Sequence, residues 1–137
     1  MAKTSGAVER IHDEWVYDTV LRYLKVCYKY HVADPHSDLR VKMQVYSGEP
    51  DFYVHPGEIP DQLTDFKFFS SETFSNEELV ITPEEREAAG LLVGDYNICV
   101  YGRWAGTYKI LAINENVSHH FLSSGVAENG YLETNKS

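Results

Sequence analysis

No stretch of this chain approaches the roughly 20 consecutive apolar residues that a bilayer-spanning helix needs, so no membrane insertion is expected. The opening Met1-Ala-Lys-Thr-Ser-Gly-Ala-Val-Glu-Arg lacks the apolar centre of a signal peptide. As written, the chain reads as cytoplasmic, and as secreted if it is an excised or mature fragment. Basic residues are scarce: 12 Lys and Arg stand against 21 Asp and Glu, a formal charge of -9. That balance excludes nucleic acid, because phosphate binding needs a clustered basic footprint that releases counterions. Two cysteines without CxxC spacing leave zinc-ribbon and thioredoxin-type sites without ligands. The sequence also has no glycine-rich phosphate loop, no paired acid and base, and no Asp-x-Asp-x-Asp-Gly calcium loop, so no catalytic activity is expected.

What is present is alternation. Leu24, Val26, Tyr28, Tyr30 and Val32 alternate with polar neighbours, as a strand with one buried face requires. Leu39, Val41, Met43 and Val45 repeat the pattern after the turn Ala33–Asp38, so these two strands are expected to pair antiparallel. Asp51–His55 is a short aromatic strand bounded by Ser47-Gly48-Glu49-Pro50 and Pro56-Gly57. Ile59–Asn76 reads as a long connection anchored by Phe66, Phe68, Phe69 and Phe74, with one short strand near Lys67. After a strand at Glu78–Thr82, Thr82 caps and Pro83 opens a brief helix that Gly90 ends. Tyr96–Tyr101 is the strongest strand signal, with Thr107–Ile113 as its expected hairpin partner through Arg103-Trp104-Ala105-Gly106.

Short strands, one helical insertion and frequent Gly and Pro punctuation define an all-β class, an antiparallel jelly-roll-like β-sandwich. The expected organisation is a flexible arm over 1–14, a sandwich over 15–122 and a flexible tail over 123–137. The stretch Leu39-Arg-Val-Lys-Met-Gln-Val-Tyr-Ser-Gly-Glu-Pro-Asp-Phe-Tyr-Val resembles a passage of bacterial pre-peptidase C-terminal (PPC) domains, in which a strand leads into Gly-Asp-x-Asp-Leu-Tyr-Val. Glu78-Leu-Val-Ile-Thr-Pro, Gly94-Asp-Tyr-Asn-Ile-Cys-Val-Tyr-Gly and Gly106-Thr-Tyr-Lys-Ile-Leu are similar to that family's closing strands. The resemblance runs over about residues 20 to 113, and departs from the family at Glu49 and at the helix-like insertion Glu84–Ala89. It implies a non-catalytic accessory module that engages a substrate or polysaccharide, sometimes with calcium, for which Asp51 and Glu49 stand at the matching acidic positions.

Cys27 and Cys99 sit mid-strand and read as structural thiols. Both are out of phase with Val26, Tyr28, Ile98 and Val100, so both face away from the main core, and a bridge between them stays open in an oxidising compartment. An immunoglobulin-like pairing fits poorly, because no Trp follows Cys27 at the expected distance and Tyr96 stands one position too early. His119-His120 reads as polar tail, since adjacent side chains on an extended chain point oppositely. Trp104, Arg103, Tyr101, Tyr53 and His55 form the most suggestive group: an exposed Trp-Arg tip can anchor a partner or stack on a sugar. The expected role is a binding or assembly module for a protein partner, the alternative a carbohydrate-binding module, with no cofactor unless calcium.

Overall fold

The computed structural model describes residues 8–70 and 76–114, together with two further strands of two residues each. The strands are β1 (Glu9–Arg10), β2 (Val16–Val20), β3 (Lys25–Val32), β4 (Leu39–Val45), β5 (Glu49–Pro56), β6 (Phe68–Ser70), β7 (Asn76–Ile81), β8 (Gly94–Trp104), β9 (Gly106–Asn114), β10 (Asn129–Gly130) and β11 (Asn135–Lys136), and the one helix is α1 (Pro83–Ala88). The expectations for Phe74, His119-His120 and most of the tail lie outside the described residues.

Two sheets pack face to face, a five-stranded one in the order β1-β3-β8-β5-β6 and a four-stranded one in the order β2-β9-β4-β7. All neighbours in them run antiparallel except β1, which joins β3 in parallel. Alternate residues of both sheets meet between them: Val26, Tyr28, Tyr30, Phe52, Val54, Tyr96 and Ile98 from one side, Leu39, Val41, Met43, Tyr108, Ile110 and Ala112 from the other. Burial of these apolar faces is the main favourable contribution to the fold. This is the antiparallel sandwich that the alternation implies.

The hairpins differ from expectation. β3 and β4 do not pair; β3 lies beside β8, and β4 lies in the opposite sheet beside β9 and β7. Likewise β8 and β9 occupy opposite sheets, the chain crossing over through Ala105. Alternation fixes which face of a strand is buried but not its neighbour, and strands that switch sheets do so at bulges. The bulge here is visible as a register shift, Glu49 facing Trp104 while Pro50 faces Gly102.

Two elements have weak sequence signals. β2 was missed because its inward positions are Val16, Asp18 and Val20, and the carboxylate interrupts the apolar pattern. Asp18 accepts from the Tyr28 hydroxyl at 2.7 Å, and that hydroxyl lies 2.7 Å from Tyr108 Oη. Burial, foremost, pushes both phenols well above their ordinary range, so they stay neutral donors. Within the segment read as a flexible arm, β1 docks on β3 and Ile11 is buried in the core.

The helix forms as read. Thr82 Oγ1 accepts from Glu85 N at 3.2 Å while Glu85 Oε1 accepts from Thr82 N at 2.9 Å, a reciprocal capping box. Gly90, at φ 97°, takes the left-handed conformation that ends it. Unforeseen is Arg86, whose side chain is fully buried. Its Nε donates to Leu92 O at 2.9 Å, Nη1 to Ile81 O at 3.1 Å and Nη2 to Asp34 O at 3.0 Å. One guanidinium thus ties β7, the loop entering β8 and the β3–β4 turn together. Tyr96 adds a second tie, its hydroxyl donating to Leu91 O at 2.6 Å.

Candidate functional site

The outward positions of β5 and β8 bring four of the five aromatic-group residues onto one face. Tyr53 and His55 from β5, and Tyr101 and Arg103 from β8, all point to the outer surface of the five-stranded sheet, where Tyr53 faces Cys99, His55 faces Asn97 and Tyr101 faces Asp51. Asp51 belongs with them: its Oδ2 accepts from Arg103 Nε at 2.6 Å. The Asp51 side chain is only 6% exposed and that of Arg103 is 54% exposed. The carboxylate offered as a calcium ligand is therefore engaged by a cation, and Glu49 sits one bulge away opposite Trp104. Among the described residues no group of three or more His, Cys, Asp and Glu side chains is arranged to hold a metal.

The same face carries the long connection after β5. Phe66 is buried against it, its ring 5.7 Å from Tyr53 and 5.9 Å from His55. His55 Nδ1 accepts from Lys67 N at 3.2 Å, and burial, then the nearby Lys67 charge, holds its imidazole below the usual range. Cys27 and Cys99 lie on this face directly across β3 and β8 and form a disulfide, their Cα atoms 4.0 Å apart. The bridge joins neighbouring strands of one sheet, unlike the inter-sheet pairing of immunoglobulin domains.

Trp104 parts from the group. Beyond the bulge its ring packs on Arg22, whose guanidinium carbon lies 3.6 Å from the Trp104 centroid and 4.5 Å from that of Tyr23. Glycine makes this possible. A Cβ on Gly102 would stand 2.5 Å from Leu21 O, so only glycine lets the β2–β3 loop lie across β8. Tyr23, at φ 69°, is held there by its N–H donating to Gly102 O at 2.7 Å. Leu21, Tyr23, Leu24 and Trp104 are 59%, 62%, 46% and 50% exposed, which makes this end of the sandwich an apolar patch centred on a stacked cation. Sequence reasoning missed Arg22 and Tyr23; the only signal was the compact Leu-Arg-Tyr-Leu run ahead of β3.

A third cluster fastens β1. Arg10 Nη1 and Nη2 each donate at 3.3 Å to the two oxygens of Asp95, and His31 Nδ1 lies 2.9 Å from Oδ1. The hydrogen bond from Arg10, then that from His31, holds the Asp95 carboxyl below its ordinary value. A carboxylate lowered on folding stabilises fully above 3.8, its ordinary value, and that stabilisation is lost as pH falls through the folded value. Asp95→Asn should therefore lower the melting temperature slightly at pH 7 and by less near pH 2. An equal loss at both pH values would contradict the linkage.

No family model and no curated protein sequence matches the chain. Among solved structures it is similar to the pre-peptidase C-terminal domain of a collagenase from Bacillus anthracis. The TM-score is 0.59, over 78% of this chain and 95% of that one, at 13% identity. The fold is PPC-like, as the sequence motifs imply. At that identity the likeness is one of fold.

Proposed function

We propose that this chain is a non-catalytic binding module that docks a protein partner through the Arg22–Tyr23–Trp104 end of the sandwich, in an oxidising compartment. The stack of one guanidinium between two half-exposed aromatic rings carries the reading. Trp, Tyr and Arg are the residue types that dominate binding energy at protein interfaces, and Leu21 and Leu24 supply the apolar surround. Both cysteines are joined in the bridge, which removes them as nucleophiles. Such bridges persist where thiols are not kept reduced, which favours an extracytoplasmic setting over the cytoplasmic expectation.

Two neighbours on β8 separate binding from stability. Trp104→Ala should abolish partner recovery by cross-linking and affinity capture while changing stability by about 1 kcal/mol or less. Arg103→Ala should instead cost about 1–3 kcal/mol, because it strands the buried Asp51 carboxylate. Recovery of monomer alone from the native source, or a large stability loss in Trp104→Ala, would overturn the reading.

A further inference from the structure

The two sulfurs of the Cys27–Cys99 bridge sit in unlike surroundings on the outer face of the five-stranded sheet. Cys99 is fully buried, whereas Cys27 on β3 is half-buried. β8 is the middle strand of that sheet, and Tyr53 of β5 stands directly opposite Cys99. The Tyr53 ring is itself backed by Phe66 at 5.7 Å and Phe69 at 6.2 Å. On its other side β3 has only the two-residue strand β1 as a neighbour, in register with Tyr28 and Lys29. Lys25 and Lys29 stand two positions before and after Cys27 and so share its outward face. Neither lysine makes an ion pair among the described residues, while Asp51 of β5 and Asp95 of β8 are held by Arg103 and Arg10.

We propose that Cys27 is a site of reversible modification by a small anionic thiol. A thiolate displaces one sulfur of a disulfide by approaching in line with the S–S bond, so access decides which sulfur is attacked. At Cys99 that line runs toward β5 and meets Tyr53; at Cys27 it runs toward the thinly covered edge of β3. The incoming sulfur bonds to Cys27 Sγ, the bond between Cys27 and Cys99 breaks, and its electron pair leaves on Cys99 Sγ. One disulfide is consumed and one is formed, so no outside oxidant or reductant is needed. Burial disfavours a thiolate at Cys99, which takes a proton from water and is held as a neutral thiol. When that thiol ionises it attacks Cys27 Sγ in turn, expels the small thiol and restores the bridge. Lys25 and Lys29 draw in the anionic reagent and then pair with its charged group, against the repulsion of a chain carrying a formal charge of -9. β3 and β8 keep their register from Lys25 to Val32 without the bridge, so the modified chain stays folded.

The test offers the full native chain three thiols of similar size: anionic 2-mercaptoethanesulfonate, neutral 2-mercaptoethanol and cationic cysteamine. Each is supplied at equal thiolate concentration, and early time points are quenched in acid and mapped by peptide mass spectrometry. The adduct should sit on Cys27, and the sulfonate should react roughly threefold to tenfold faster than cysteamine at low salt. High salt should shrink that ratio. Lys25→Gln combined with Lys29→Gln should abolish it while circular dichroism shows the strand content of the parent; intrinsic differences among the thiols cancel in this comparison. An adduct on Cys99, an adduct formed only in denaturant, or a rate ratio unchanged in the double variant would overturn the proposal.

Discussion

Arg86→Leu is expected to destabilise the fold by about 3–5 kcal/mol and lower its melting temperature by roughly 10–20 °C. Leucine fills part of the volume but donates nothing, so the carbonyls of Leu92, Ile81 and Asp34 lose their shared donor. Each buried polar group left unpaired costs about 1–3 kcal/mol, and the three lie on β7, on the loop entering β8 and on the β3–β4 turn. Arg86→Lys keeps the charge but offers one compact ammonium in place of a fork, so it should fall between the two. Thermal melts of the three proteins make the comparison, and a loss below about 1 kcal/mol for leucine would show that the ties contribute little.

Breaking the Cys27–Cys99 bridge is the second large effect. The two residues are 72 positions apart, and closing a loop of that length constrains the unfolded chain by about 4 kcal/mol in the chain-entropy account. Reduction, or the double change Cys27→Ser with Cys99→Ser, should lower the melting temperature by roughly 15 °C while leaving the strand content intact. Thiol titration in denaturant should count no free thiols before reduction and two after it. Two reactive thiols in protein from its native source would also remove the argument for an oxidising compartment.

The strands were legible where one face is uniformly apolar. Val26, Tyr28, Tyr30 and Val32 of β3, and Leu39, Val41 and Met43 of β4, all point into the core as their alternation requires. Pairing was less legible, because the face a strand buries says nothing of which strand lies beside it; β8 and β9 adjoin in sequence yet serve different sheets. β2 escaped notice because Asp18 occupies an inward slot to accept from a buried tyrosine. Arg86 was equally opaque, since a basic residue near a helix end ordinarily points to water. Of the candidate site, Trp104 was visible but its stacking partner was not, because Arg22 reaches it only through a loop crossing at Gly102.

The order in which the strands appear along the chain has a kinetic consequence. β8 lies between β3 and β5, and β9 between β2 and β4, so each sheet receives an inner strand from the last third of the sandwich. During synthesis the earlier strands wait for these two before their ladders can close. Such distant pairings slow the search for the native arrangement toward the millisecond-to-second range typical of β-sandwiches. A nascent chain halted before Gly94 would leave exposed backbone along β3, β5, β2 and β4, the condition under which strands join those of other molecules.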